Sequence, residues 1–120
     1  MRKKIYIADD DPDILEVCTI VLEEEGYEVE TSADGKSIEN REINLPNLVF
    51  LDVMMSGTNG HEICQALKKR AATKDIPVVL ISANQNLKDI GTSCGADAVL
   101  PKPFDIDNLV KLAGQYTSGF

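Results

Sequence analysis

The chain contains no tryptophan, and its few phenylalanines and tyrosines make up only 5% of the residues, so an aliphatic core is expected. Cysteine is scarce as well. Cys18, Cys64 and Cys94 are odd in number, far apart and without a C-x-x-C pair, which argues against a disulfide framework or a zinc site and fits a reducing cytoplasm. Positive charge is short: 12 Lys and Arg face 20 Asp and Glu, for a net charge of -8. That balance argues against a direct nucleic-acid surface or an anionic membrane surface and favours cations and basic partners. No apolar run approaches membrane-spanning length. The basic start Met1-Arg2-Lys3-Lys4 leads into an apolar stretch that three acids cut after Ala8, so no export signal forms. With 120 residues the expectation is one domain over 1–120, with no room for an output domain; the chain either works alone or is part of a longer regulator.

Four short apolar runs are present: Ile5 to Ala8, Leu48 to Leu51, Val78 to Ser82 and Ala98 to Leu100. They are too short for helices and rich in Val, Ile and Leu, as strands buried on both faces are. Tyr27 to Thr31 alternates apolar and acidic residues, which predicts a fifth strand nearer a sheet edge. Ile14, Leu15, Cys18, Val21 and Leu22 recur at helical spacing between Pro12 and Gly26, with the acidic Glu23 to Glu25 read as a solvated face. Gly60 to Arg70 and Asp105 to Leu112 are further helices, the second capped by Asp105. Gly35 to Asn44 has few apolar residues, and Asn84 to Cys94 carries Gly91-Thr92-Ser93, so short or irregular helices are expected there. The alternation predicts an α/β fold: a five-stranded, doubly wound parallel sheet with helices on both faces and function at the carboxyl ends of the strands.

The polar residues collect at those ends. Asp9, Asp10 and Asp11 follow the first strand, Asp52 the third, Ser82 ends the fourth and Lys102 follows the fifth. Two carboxylates in contact repel by ~4 kcal/mol at an effective dielectric of ~20, so a cation must offset them. Lys102 supplies one charge; a divalent ion with oxygen ligands, Mg²⁺ or Mn²⁺, completes the set. The plainer alternative, that Asp9 to Asp13 only cap a helix, needs one acid rather than three. An EF-hand reading of Asp9, Asp11 and Asp13 fails because Ile14 and Ile20 occupy its glycine and glutamate positions. Asp52 directly follows the buried run Leu48-Val49-Phe50-Leu51 and so needs compensating partners. Beside a metal its oxygen could attack a phosphoryl group, with the metal and Lys102 stabilising charge and the Ser82 hydroxyl donating to a phosphoryl oxygen.

Four stretches, IYIADDDPDIL, LVFLDVMMSGTNG, VVLISA and GADAVLPKPF, together resemble the receiver domains of bacterial two-component response regulators, and the resemblance spans nearly the whole chain. It implies a flavodoxin-like receiver fold similar to that of chemotaxis response regulators. It further implies Asp52 as phosphoacceptor, Asp10 as a direct Mg²⁺ ligand, Asp9 acting largely through water, the Met54 carbonyl as a further ligand and Asp11 as a flanking acid. Ser82 and Lys102 match the family's hydroxyl and lysine, with a cis bond between Lys102 and Pro103. The implied donor is a sensor histidine kinase or phosphotransfer protein, the implied readout a downstream protein target, and no separate substrate is turned over.

Three departures bear on output. Val99 stands where the family has a Tyr or Phe that couples phosphorylation to the outer face. The segment from Ser82 to Gly95 is about two residues short of the usual length, in keeping with its poor helix propensity. Ser56 replaces a frequent proline. Val99 keeps open an alternative, a pseudo-receiver that binds a partner without phosphorylation, against which Asp10, Asp52, Ser82 and Lys102 speak. A haloacid-dehalogenase-type enzyme would carry an acid at Met54, and a flavodoxin-like cofactor carrier would need a Gly/Ser-rich loop where three aspartates stand. The sole histidine, His61, is read as a surface residue, Met54-Met55 as loop packing, and the cysteines as core filling.

Overall fold

The computed structural model describes residues 2–55 and 57–117; Ser56 therefore lies outside the described residues. In chain order the elements are β1 (Lys4–Ala8), α1 (Pro12–Glu24), β2 (Glu28–Ser32), a 3-10 turn (Lys36–Ile38) and β3 (Leu48–Asp52). A small hairpin of β4 (Met54–Met55) and β5 (Thr58–Asn59) follows, then α2 (Gly60–Lys69), β6 (Val78–Ser82), α3 (Leu87–Cys94), β7 (Ala98–Pro101) and α4 (Ile106–Thr117). Five strands pair in parallel in the order β2-β1-β3-β6-β7.

Alternation along the strands divides the interior into two cores. Tyr6, Ala8, Val49, Leu51, Val78 and Leu80 point to one face and meet Ile63, Cys64 and Leu67 of α2 and Leu87 and Cys94 of α3. Ile5, Ile7, Leu48, Phe50, Val79 and Ile81 point to the other and meet Cys18 and Leu22 of α1 and Leu109 and Ala113 of α4. Fully burying a side chain of this size contributes about 1.5–3 kcal/mol, which is why the central strands read as continuous apolar runs. All three cysteines are buried in these cores. The doubly wound parallel fold expected from the sequence is thus the fold observed.

The differences lie at the edges. β2 is an edge strand, as its alternating pattern implied, but so is β7, where Ala98 and Val99 are only half-buried rather than covered on both faces. Between β2 and β3, Gly35 to Asn44 holds a single 3-10 turn and no α-helix. Ile38 is its one buried apolar side chain, while Ile43 is 73% exposed, so a helix there would have had almost nothing to bury. Two arginines hold the segment instead. Arg41 grips the Glu30 carboxylate of β2 with two N–H groups and lies over the Tyr6 ring. Arg70, just past α2, donates to the carbonyls of Glu39 (2.7 Å) and Arg41 (2.9 Å) and to Glu42. Arg41, helped by Lys4, holds the Glu30 carboxyl down at about 2.

The helix ends follow local chemistry. Asp11 caps α1, its carboxylate accepting from the Asp13 N–H at 2.9 Å, and Gly26, at φ +96°, stops it in a conformation that side-chain-bearing residues avoid. α4 runs past the expected Leu112 to Thr117, carried by Ala113 and by Tyr116, whose hydroxyl donates to the Asp97 carbonyl. The Asp105 carbonyl, rather than a side-chain cap, accepts from the Asn108 and Leu109 N–H groups.

Candidate functional site

Because β1, β3, β6 and β7 run parallel, their carboxyl ends share one rim, and the order reverses between β1 and β3, where open sheets of this kind leave a crevice. The chain leaves β1 through Asp9 and Asp10, ends β3 on Asp52 and β6 on Ser82, and passes from β7 into Lys102. Backbone bonds lock this register: Val53 N–H donates to the Ile81 carbonyl (2.9 Å) and Lys102 N–H to the Ser82 carbonyl (2.9 Å). Asp10, Asp11, Asp52, Met54, Ser82, Ala83, Asn84 and Lys102 line an open cleft of about 390 Å³. A larger apolar groove of about 480 Å³ adjoins it across Lys102, between α1 and the start of α4, with Ile14, Val17, Phe104 and Ile106 in its walls. The polar cleft holds the reactive groups.

Three carboxylates meet there. One oxygen each from Asp9, Asp10 and Asp52 lies within 4.8 Å of the others. Asp9 is fully buried and Asp52 nearly so, while Asp10 is exposed. Lys102 Nζ donates to Asp52 Oδ2 at 3.1 Å and lies 2.9 Å from Asp9 Oδ2, so one ammonium serves two buried acids. The contact with Asp9 is a charge pairing only, since no hydrogen bond of good geometry reaches buried Asp9 Oδ2. Burial, and then the charge of Asp9, push the Asp52 carboxyl above its ordinary value against the pull of Lys102. Burial also works against the charge of Lys102, but its contacts with Asp9 and Asp52 outweigh that and raise it.

This donor set fits a hard divalent cation. Clustered carboxylate oxygens of Asp9, Asp10 and Asp52 converge within 4.8 Å, and the one Lys102 ammonium is shared between two of them. The fit is to Mg²⁺ or Mn²⁺ rather than to a soft metal, because the cluster offers only oxygen.

The remaining predicted residues divide. The Ser82 hydroxyl accepts from the Asn84 N–H at 3.0 Å. Met54 N–H donates to Asp52 Oδ1 at 3.3 Å, and the residue is 69% exposed, whereas Met55 is buried. Asp11 is turned to capping, its own N–H donating to Asp9 Oδ1 at 2.9 Å. His61 sits half-buried in the first turn of α2, its Nδ1 2.6 Å from Asn59 Oδ1. Asn84 was not anticipated; the sequence carried a signal in the Ser-x-Asn spacing, which makes successive side-chain turns as Asn84 Oδ1 accepts from the Asn86 N–H.

The family pattern described as the response regulator receiver domain matches residues 5–113, nearly the whole chain. The chain belongs to that family. Among its relatives, it is 38% identical over 114 residues to the DNA-binding response regulator MtrA of Mycolicibacterium smegmatis, covering 92% of this chain and 48% of that protein. It is 37% identical over 110 residues to the DNA-binding dual master transcriptional regulator RpaA of Synechocystis, covering 89% and 46%. The receiver thus spans about half the length of these curated relatives. Its fold matches a putative response regulator from Chloroflexus aurantiacus with a TM-score of 0.91 at 28% identity over 99% and 100% of the two chains. It matches the chemotaxis protein CheY4 of Vibrio cholerae with a TM-score of 0.86 at 27% identity over 97% and 99%.

In this receiver Val99 lies on β7 opposite Leu80, half-buried, and packs against α3. The segment after Ser82 forms the two-turn helix α3, ended by Gly95. The Lys102-Pro103 bond is cis. Among the described residues no helix is long and apolar enough to cross a membrane.

Proposed function

We propose that Asp52 accepts a phosphoryl group from a phosphohistidine of a sensor histidine kinase or phosphotransfer protein. The P–N bond to the donor breaks as a bond from an Asp52 oxygen to phosphorus forms, and the imidazole leaves as a neutral ring that keeps the proton already on its other nitrogen. The observation that carries this reading is a buried aspartate held by Lys102 at 3.1 Å beside two further carboxylates, one of them also paired with that same ammonium at 2.9 Å.

Each residue has a part. Met54 N–H and Lys102 hold the two Asp52 oxygens and so fix its rotamer. Lys102 also offers positive charge to the incoming phosphoryl oxygens. Asn84 fills an acceptor position of the Ser82 hydroxyl and leaves its proton to donate. Asp9, Asp10, Asp52 and the Met54 carbonyl would hold Mg²⁺, or Mn²⁺, which when bound neutralises charge that develops on the transferring group.

The domain acts by changing its contacts with a downstream protein target and has no separate turnover substrate. It works in the cytoplasm as a single receiver unit over 1–120. The net charge of -8 speaks against these residues touching nucleic acid, whatever their DNA-binding relatives do with the rest of their length. Intact-mass spectrometry after incubation with Mg²⁺ and a small acyl phosphate tests the reading. One phosphoryl adduct, lost in Asp52→Asn and on chelation, is expected; no adduct under any condition would replace it with a phosphorylation-independent pseudo-receiver.

A further inference from the structure

Gly60 opens α2, and among the described glycines it alone is confined by main-chain atoms this closely. A Cβ built on it would lie 2.1 Å from the Asp52 carbonyl oxygen, 2.8 Å from the Asp52 carbonyl carbon and 3.1 Å from Val53 Cα. Those atoms cannot rotate aside. At Gly35 and Gly91 the tightest obstacles are side-chain ends, Ile63 Cδ1 at 2.8 Å and Val99 Cγ1 at 2.7 Å. Gly60 is buried, and its N–H donates to the Val53 carbonyl at 2.9 Å, so the start of the helix and the peptides after Asp52 are held face to face.

Neither helix formation nor backbone conformation asks for glycine here. Glycine weakens a helix relative to alanine, and Gly60 is not among the residues with positive φ. Close approach remains. The segment it touches carries the Asp52 carboxylate, the Met54 N–H that holds Asp52 Oδ1, and the Met54 carbonyl. A methyl group would have to displace this segment by more than ~1 Å, because the 2.1 Å separation must grow to ordinary contact distance.

We infer that Gly60 is a positioning residue: its bare Cα lets α2 lie against the Asp52 peptide and thereby sets where Asp52 and Met54 stand in the cleft. The inference rests on the reading of Asp52 as the phosphoryl acceptor.

The test places Gly60→Ala in a parent carrying Gly114→Ala, a substitution in open space within α4 that strengthens the helix and guards against unfolding. Gly91→Ala in the same parent is the control, since its methyl meets a side chain rather than the Asp52 peptide. Four quantities are read: the folded fraction, the metal-free amide resonances of Val53 and Met54, Mg²⁺ affinity by calorimetry, and the adduct-forming rate at saturating acyl phosphate. Gly60→Ala is expected to remain folded, to shift both amides, to bind Mg²⁺ more weakly and to slow the saturated rate ~10- to 100-fold, while Gly91→Ala stays within about twofold of the parent. Unchanged amides and rate, a slowing accounted for by the folded fraction, or a Gly60→Ala chain that does not fold in the stabilised parent would each overturn the assignment. If the parent forms no adduct, the acceptor reading fails instead, and the amide shifts still decide whether Gly60 sets the position of the segment.

Discussion

Neutralising Asp52 should stabilise the metal-free protein, and Mg²⁺ should remove that advantage. Asp52 is 4% exposed and faces oxygens of Asp9 and Asp10 within 4.8 Å. At an effective dielectric of ~20, each of those neighbours repels it by ~3.5 kcal/mol, and Lys102 at 3.1 Å returns ~5 kcal/mol. The balance, ~2 kcal/mol against the charged form, has the same sign as its loss of hydration. Asn is the same shape and retains an oxygen for the Met54 N–H, and Lys102, which loses its acceptor on residue 52 to the amide NH2, keeps its pairing with Asp9, so Asp52→Asn removes the charge at little packing cost. In chelator its melting temperature should exceed that of wild type by roughly 8 °C. The pH dependence follows from the raised carboxyl: above its folded-state pKa the ionised group weakens the fold, and protonation relieves the strain. Metal-free wild-type stability should therefore fall, relative to Asp52→Asn, as pH rises from the ordinary Asp value of 3.8 through the raised value. Saturating Mg²⁺ should raise the wild type far more than the variant, since the ion binds the folded state through the carboxylate that the variant lacks. The assay is thermal unfolding of both proteins with chelator and with Mg²⁺. A variant that melts below wild type in chelator, or equal Mg²⁺ shifts for the two proteins, would refute the reasoning.

Lys102→Met leaves Asp9 and Asp52 facing each other without their shared cation. It should cost ~2 kcal/mol in chelator, a figure reduced because the lysine is partly exposed, with much of the loss recovered in Mg²⁺; equal losses in both conditions would contradict the charge balance. Glu30, held down at about 2 by Arg41 and Lys4, contributes stability that is present above the usual glutamate range and lost as pH falls toward 2. The melting-temperature gap between wild type and Glu30→Gln, worth ~1 kcal/mol at neutral pH after allowance for solvent, should therefore close in acid titration. Gly114→Ala, in the interior of α4 with nothing within 4 Å of the added carbon, should raise stability by ~1 kcal/mol in chemical denaturation with phosphorylation unchanged.

The parts of this molecule that were legible in the sequence are those where burial is all-or-none. β3 and β6 are fully buried, so their apolar runs could be read almost to the residue, and Asp52 and Ser82 stood out as polar residues ending them. The rim followed, because parallel strands must place their carboxyl ends together. Illegible features depend on partners distant in sequence. Nothing near Arg41 or Arg70 announces that they replace a helix by bonding to Glu30, Glu39 and Glu42. The sharing of Lys102 between Asp9 and Asp52, and the turning of Asp11 to capping, likewise needed coordinates, since three adjacent aspartates look alike until the chain bends. β7 misled by composition: half-buried Ala98 and Val99 read like a central strand.

The two cores separated by the sheet are each fitted with a sulfur probe. Cys18 is buried on the α1/α4 side, its thiol pushed up to about 11 chiefly by burial, and Cys64 is buried on the α2/α3 side, its thiol also raised chiefly by burial. Neither reacts while its layer is closed. With Cys94, which shares the α2/α3 core with Cys64, replaced by Ala, the rates at which Cys18 and Cys64 are alkylated thus time the opening of each layer separately. Equal rates mean that the sheet and both its coverings come apart as one unit; unequal rates mean that one layer lifts while the other stays in place.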